Sequence, residues 1–186
     1  RYWLGRPGWR DDQRHALAMA RSVEPLSYVT VVTYVYPSGI PNGVLRPDAS
    51  AIREIEDALL IAERSGDAVV LNYARASLGL ALVHRETDTE RDRGYALLTE
   101  VSSAALLRRH NLCDRPLIEV YAAREQARRG DRDGAIASMR AVVGHLFRDG
   151  PRLLHGVAAT GVLVEALLDR GSSDDLSEAA AAISRV

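Results

Sequence analysis

Apolar residues recur at helical spacing along most of the chain, and glycine, proline or aspartate interrupts the pattern at short intervals. An apolar stripe with a period near 3.6 residues is typical of an amphipathic helix, and these three residue types cap or end helices. The pattern predicts nine helices, over residues 11–22, 26–36, 48–65, 68–85, 92–109, 115–129, 132–148, 151–170 and 175–185. The sequence therefore predicts an all-α fold.

The segment "PLSYVTVVTYVYPSG", residues 25–39, allows two interpretations. Its β-branched and aromatic residues favour a strand. The spacing of the neighbouring elements favours a helix that begins after Pro25 and stops at Pro37 and Gly39. We favour the helix because a lone strand has no partner to pair with. The residues that follow, 37–48, form the longest predicted loop.

Four pairs of small or apolar residues each stand nine positions before a proline or an aspartate: Ala16-Leu17, Ala58-Leu59, Ala105-Leu106 and Val142-Val143. The pairs lie 42, 47 and 37 residues apart. Each is expected to mark the end of one helix, a short turn and the start of the next. A period of this length is typical of helix-turn-helix solenoids.

The stretch "RGDRDG" connects two of the predicted helices. Gly130 is expected to end one helix, Asp131 or Asp133 to cap the next, and Ala135 and Ile136 to begin its buried face. The Arg-Gly-Asp triplet has meaning as an adhesion motif only in an extracellular protein. We therefore interpret this stretch as a turn.

Two of these segments, "RRGDRDGAIASM" and "ASAIREIEDALLIAE", resemble the tetratricopeptide repeat. Gly79 fits the small position of that family's first helix, whereas 115–129 lacks its large aromatic residue and has Gln126 instead. The resemblance implies a tetratricopeptide-like, right-handed α-solenoid of about four to five helix-turn-helix repeats. Residues 1–186 would form a single helical-repeat domain.

Longer stretches resemble the C-terminal helical region of large actinobacterial regulators: 5–21, 39–67, 79–98, 123–136 and 161–179. In that family an AAA-like signalling ATPase accompanies an adenylate or guanylate cyclase domain, or a LuxR-type DNA-binding domain. The resemblance implies that this chain is the sensor or docking arm of a nucleotide-driven switch. The first residue is Arg1, which favours a piece of a longer polypeptide. The family's catalytic motifs are absent here, so no catalytic residue carries over.

Net charge and amino-acid usage exclude or disfavour several classes of partner and site. The 186 residues carry a formal net charge of −1, which disfavours nucleic-acid and anionic-membrane partners. All 24 basic residues are arginine, which excludes a Schiff-base or phosphate-loop lysine in this chain. Cys113 is the only cysteine, so we expect no internal disulfide and a reducing, cytoplasmic location. No apolar run approaches the ~18 residues of a membrane span, and no signal peptide opens the chain.

The candidate chemical groups all have simpler structural interpretations. His110 and Cys113 could share a metal, but two ligands do not make a zinc site. Asp131 and Asp133 resemble the start of a calcium loop, although the loop's later glycine and glutamate are missing. Asp174 and Asp175 are expected to cap a helix. No motif for a phosphate loop, a dinucleotide site, a nucleophile elbow or a zinc protease occurs. We predict no catalytic residue, no cofactor and no metal.

The densest basic groups are Arg108-Arg109 and the set Arg124, Arg128 and Arg129. Arg124 and Arg128 are spaced i and i+4 and could hold an anion together. Glu125 and Asp131 are close enough in sequence to neutralise this patch. A solvated helix face is the interpretation we favour.

Aromatic residues are concentrated in the first 36 positions: Tyr2, Trp3, Trp9, Tyr28, Tyr34 and Tyr36. Exposed tyrosine and tryptophan are favoured at interfaces. This end is predicted to be either an interface, through which a homodimer could form, or an ordinary local core.

The function predicted from these observations is a non-enzymatic scaffold that binds a partner protein, or another part of its own chain, on a concave face. By analogy with tetratricopeptide geometry, the helices that start near residues 67 and 114 would present Tyr73, His84 and Arg124 to the partner. Arg124→Glu should then weaken binding and leave the melting temperature nearly unchanged. The alternative is a small-molecule sensor in which an inducer occupies the superhelix. A stand-alone enzyme is the third and least favoured class.

Overall fold

The computed structural model describes residues 7–108, 114–148 and 152–186. The described residues form nine α-helices and no strand, which confirms the predicted all-α class. The helices are α1 (Trp9–Val23), α2 (Pro25–Gly39), α3 (Ala49–Ser65), α4 (Ala68–Leu82), α5 (Asp88–Arg108), α6 (Arg115–Arg128), α7 (Arg132–Arg148), α8 (Arg152–Arg170) and α9 (Asp175–Ile183). None of these helices combines the length and apolarity that crossing a membrane requires.

The disputed segment 25–39 is a helix, α2, as the spacing of the elements predicts. Pro25 stands at its start, where the missing N–H has no intrahelical partner to lose. Tyr28, Val29, Val32 and Tyr36 lie on one face and are buried. Burial of this face outweighs the β-propensity of the side chains, since tertiary packing overrides propensity. The helix continues through the predicted stop at Pro37 and ends at Gly39.

The fifth helix begins at Asp88, four residues before the predicted start. The Thr87 hydroxyl accepts a hydrogen bond from the Glu90 amide at 3.3 Å and donates one to the Glu90 carboxylate at 2.7 Å. This arrangement resembles a capping box, in which a side chain supplies partners to the unpaired amides of the first turn. The sequence "TDTE" contains this pattern, and the apolar periodicity alone did not find it.

The predicted turn at "RGDRDG" is confirmed. Gly130 has a φ of +106°, a left-handed conformation that favours glycine. The Asp131 carboxylate accepts a hydrogen bond from the Gly134 amide at 3.0 Å and so caps α7. Ala135 and Ile136 follow, and both are almost completely buried.

Each helix packs on the next one along the chain, from α1 to α9. In addition α2 packs on α4, α6 packs on α8, and α4 makes a lighter contact with α6. The even-numbered helices therefore contact one another in sequence. The buried side chains divide into two clusters, one that includes residues of α1 to α4 and one that includes residues of α4 to α9. Helix α4 contributes to both clusters and joins them.

The paired residues that set the predicted period lie in α1, α3, α5 and α7, and an even-numbered helix comes next along the chain after each of them. Leu17, Ala58 and Val143 are buried, as the packing argument requires. Asp67 accepts hydrogen bonds from two amides of α4 and confirms the expected cap. The side chains of the third pair lie outside the described residues.

Candidate binding groove

Two of the three predicted contact residues meet where α4 ends on α6. The rings of His84 and Tyr121 are tilted by 56° with centroids 4.5 Å apart. The Arg124 guanidinium lies over the ring of Tyr121, with its Cζ 4.5 Å from the ring centroid. Its Nη2 donates a hydrogen bond of 2.7 Å to the backbone carbonyl of Val83. The arrangement ties α6 to the end of α4.

The charge state of this cluster follows from its burial. Burial, and then the positive charge of Arg124, lowers the pKa of His84 from 6.5 to about 4. The hydrogen bond from His84 Nδ1 to the Leu80 carbonyl, 2.6 Å long, opposes this shift. Burial also raises the pKa of the Tyr121 hydroxyl. Near neutral pH His84 is uncharged, and Arg124 carries the positive charge of the cluster.

Tyr73 occupies a different place on α4. It stands nine residues before Leu82, the last residue of α4, which corresponds to about 14 Å along the helix axis at 1.5 Å per residue, and His84 lies two residues beyond that end. Its side chain is half-buried and packs against the larger core cluster. The structure therefore brings His84 and Arg124 together and leaves Tyr73 about three turns away.

The predicted solvated face at Arg124 is wrong. The Arg124 side chain is only 18% exposed, and the neighbouring Glu125 side chain is 2% exposed. Arg124 Nε lies 3.7 Å from the Glu125 carboxylate, too far for a hydrogen bond but close enough for charge attraction. Because α6 packs between α4, α5, α7 and α8, this part of its surface is covered.

Glu125 neutralises the basic patch as predicted, whereas Asp131 does not. Glu125 accepts a hydrogen bond of 2.6 Å from Arg128 Nη1 and lies 4.0 Å from Arg129 Nη1. Asp131 accepts a hydrogen bond of 2.5 Å from the side-chain amide of Gln126 and caps α7. A single buried carboxylate thus gathers three guanidinium groups, because a buried charge without partners is very costly.

A groove of about 420 Å³ opens beside this cluster, between the last turns of α6 and α8 and the first turns of α7. Its lining combines charged and apolar side chains: Arg124, Arg128, Arg132, Glu165 and Asp169, with Ala127, Ile136, Val162 and Ala166. The arginines come from α6 and α7, and both acidic residues come from α8. We call this feature the α6–α8 groove.

The side chains of three charged lining residues make no hydrogen bond and no ion pair of 4.0 Å or less within the described part of the chain: Arg132, Glu165 and Asp169. All three side chains are exposed. Burial lowers the pKa of Arg124, and the negative charge of Glu165 across the groove is one of the charges that oppose this shift. Glu165 and Asp169 are spaced i and i+4, which places them on one face of α8. Sequence reasoning did not identify this acidic pair, although that spacing was visible, because nothing local showed which face of α8 lies opposite α6.

The other candidate groups have structural roles or lie outside the description. Asp175 accepts hydrogen bonds of 2.5 and 3.0 Å from Arg170 and one of 2.8 Å from the Ser172 amide. The Arg170 guanidinium holds the pKa of that carboxyl well below its usual range. Asp174 occupies the N-cap position of α9, but its side chain makes no capping hydrogen bond. The prediction that both aspartates cap the helix is therefore wrong for the Asp174 side chain. His110 and Cys113 lie outside the described residues, within which no three potential metal ligands cluster.

The aromatic N-terminal end is largely a local core. Trp9, Tyr28 and Tyr36 are 8%, 1% and 5% exposed. Tyr36 donates a hydrogen bond of 2.6 Å to the Glu54 carboxylate, and Tyr28 donates one of 3.2 Å to the Glu54 carbonyl. Tyr34 is 66% exposed, and Tyr2 and Trp3 lie outside the described residues. Three of the six predicted interface aromatics are therefore committed to the interior.

No protein-family model matches the chain, and neither a curated protein nor a solved structure resembles it at a significant level.

Proposed function

We propose that the chain is a non-catalytic helical-repeat module that holds a segment of a partner protein, or of another part of its own chain, in the α6–α8 groove. The observation that carries this proposal is the set of exposed charged side chains without a close ion pair, Arg132, Glu165 and Asp169, around an apolar floor. Arginine is enriched at protein interfaces, and a polar rim around an apolar centre is their usual arrangement.

A tetratricopeptide-like, right-handed α-solenoid of about four to five repeats is the architecture that fits this function. It is supported by an ion pair that recurs along the chain. Asp92, near the start of α5, pairs with Arg129 just after α6, and Asp133, near the start of α7, pairs with Arg170 at the end of α8. Both pairs join residues that are 37 positions apart. Each residue of the second pair lies 41 positions after the corresponding residue of the first pair.

The packing order supports the same architecture. In a solenoid each helix pair contacts its neighbours, and one helix of every pair lines a continuous inner surface. The contacts of α2 with α4, α4 with α6 and α6 with α8 are those expected of such an inner row. The α6–α8 groove lies between two members of that row.

The predicted parent protein is a multidomain signalling or transcriptional regulator, in which this module would be the sensing or docking arm. That part of the proposal comes from the sequence resemblance alone. It is tested by sequencing the open reading frame on both sides of residues 1–186. A phosphate-loop ATPase with a cyclase or DNA-binding domain supports it, and a reading frame confined to these residues refutes it.

Affinity purification with charge-reversal variants tests the docking function. Glu165→Arg changes the groove, and Glu63→Arg makes the same charge change at an exposed residue of α3 outside the groove. A partner that binds the groove should be enriched with the wild-type chain and with Glu63→Arg and lost with Glu165→Arg. Equal recovery with all three proteins would contradict the proposal.

A small-molecule inducer in the same groove is the second candidate, because 420 Å³ lies within the range of ligand pockets. Such pockets are mostly apolar, whereas five of the ten residues that line this groove are charged. We therefore favour a protein segment. A metabolite panel distinguishes the two: a hundredfold excess over Kd stabilises the native state by ~2.7 kcal/mol, which raises the melting temperature.

A further inference from the structure

The two sides of the α6–α8 groove carry opposite charges. Arg128 and Arg132 stand on the side formed by α6 and α7, and Arg124 lies deeper on the same side. Glu165 and Asp169 stand on the side formed by α8. We call these the basic wall and the acidic wall. Within the described residues no ion pair of 4.0 Å or less joins one wall to the other. Arg124 and Arg128 are paired with Glu125 below the basic wall. Arg132, Glu165 and Asp169 make no such pair and remain available to a ligand.

The floor between the walls is apolar and is made of small or largely buried side chains. Ile136 and Val162 are 1% and 4% exposed, and Ala127 and Ala166 flank them. Alanine lets another backbone approach closely. Helices α6 and α8 both end at this groove, whereas α7 begins there, so α6 and α8 run in the same direction. A furrow between two such helices accommodates a third helix.

We infer that the occupant is an amphipathic helix of the partner that carries an acidic residue on one flank of an apolar stripe and a basic residue on the other. This inference rests on the proposed docking function and specifies its partner. The acidic side chain would pair with Arg132, the apolar one would cover the floor, and the basic one would pair with Glu165 and Asp169.

Charge complementarity separates this occupant from those of a single charge sign. A uniformly acidic segment would meet repulsion from Glu165 and Asp169, and a uniformly basic one would meet repulsion from the basic wall. A polyanion such as a nucleic acid has the same difficulty at the acidic wall. Only an occupant with both signs satisfies both walls at once.

Designed peptides test this inference directly. The probes are acetylated and amidated helical peptides of about 15 residues in an alanine–glutamine host, near the length at which isolated helices form. Each contains the sequence X-A-A-Leu-A-A-Z. The positions X, Leu and Z are three residues apart and therefore about 300° apart around the helix, so that the leucine lies between the side chains of X and Z. The pair X and Z is Glu and Arg, Glu and Glu, Arg and Arg, or Gln and Gln. Fluorescence anisotropy gives the Kd of each peptide for the 186-residue chain.

The wild-type chain should bind the Glu/Arg peptide roughly two- to fivefold more tightly than the other three, since an exposed ion pair contributes about that much. Arg132→Glu should shift the preference to Arg/Arg, and Glu165→Arg with Asp169→Arg should shift it to Glu/Glu. These residues suit reversal because they make no internal ion pair, so the fold should persist. Glu63→Arg is the matched control and should keep the wild-type order.

An unchanged order of affinities in the groove variants would overturn the inference, as would the absence of binding by all four peptides. Melting temperatures of the variants, measured in parallel, confirm that each one is folded. The inference can fail while the proposed function stands. In that event Glu165→Arg still abolishes recovery of a partner, but the peptides show no preference for mixed charge.

Discussion

A buried carboxylate and the guanidinium groups around it define the α6–α8 groove at the level of single residues. Glu125 is 2% exposed and lies within 4.0 Å of guanidinium nitrogens of Arg124, Arg128 and Arg129. Arg124 is held further by the Val83 carbonyl and the Tyr121 ring. These contacts hold Arg124 and Arg128 of the basic wall in place before any ligand arrives, which reduces the ordering cost of binding.

Arg124→Glu should destabilise the fold, contrary to the expectation from sequence. The change removes the bond to Val83 and places a second carboxylate beside buried Glu125, which should cost about 3 kcal/mol. Arg132→Glu is the control, because it reverses the same charge at an exposed position where a helix start favours acids. Urea denaturation of both variants checks this. Equal stability of Arg124→Glu and the wild type would show that the Arg124 contacts are dispensable.

His84 should make stability depend on pH. Its folded pKa of about 4 lies below its ordinary value of 6.5, so between these values the unfolded chain binds more protons. This stability is therefore fully present above pH 6.5 and is lost as the pH falls towards 4, with a slope of at most about 1.4 kcal/mol per pH unit.

His84→Gln isolates this contribution from those of Glu90, Asp175 and Glu178, whose lowered pKa values act in the same direction. The free energy of unfolding is measured for both proteins between pH 4 and 8. The wild type should lose stability relative to His84→Gln below pH 6.5. Parallel curves would mean that His84 is protonated as readily in the folded chain as in the unfolded one.

At the level of elements, close contacts between helices depend on particular small residues. A Cβ on Gly94 of α5 would lie 2.9 Å from the backbone nitrogen of Val83 and 2.9 Å from the Cβ of Leu82. A Cβ on Gly79 of α4 would lie 2.7 Å from Leu98, which confirms that Gly79 is a tight position. The two glycines let α4 and α5 approach one another.

Gly94→Ala should therefore destabilise the chain by about 1–3 kcal/mol, because backbone atoms must move to admit the methyl group. Gly161→Ala is the matched control within α8, where an added Cβ meets nothing within 4 Å. Alanine should stabilise that helix by about 0.5–1 kcal/mol through its higher propensity. Thermal unfolding gives both values. Equal and favourable shifts at the two sites would refute the close α4–α5 contact.

The sequence predicted most elements because their ends depend on local chemistry. Gly130, Asp131 and Asp67 act on amides or turns within a few residues, so their roles could be inferred before the packing was known. The interior of α2 was harder, since propensity and spacing disagreed there. The burial of Arg124 could not be predicted, because its partner Val83 lies 41 positions away.

At the scale of the whole molecule, the same kinds of contact recur along the chain. The Asp92–Arg129 and Asp133–Arg170 pairs each join the first turns of an odd-numbered helix to the end of the next even-numbered helix, and the even-numbered helices contact one another in sequence. Sequence periodicity indicated this order but not the groove that results from it. The acidic wall of α8 faces the basic wall only because the packing of α6, α7 and α8 brings them together.

Site-specific photo-crosslinking in the native cell is the most direct test of the α6–α8 groove as a docking site. A photoreactive amino acid replaces Ala166 on the groove floor or, as the control, exposed Ala137 on the neighbouring helix α7. We predict a discrete adduct with one partner polypeptide from Ala166 and none from Ala137. Equal crosslinking from both positions, or none from Ala166, would contradict the account.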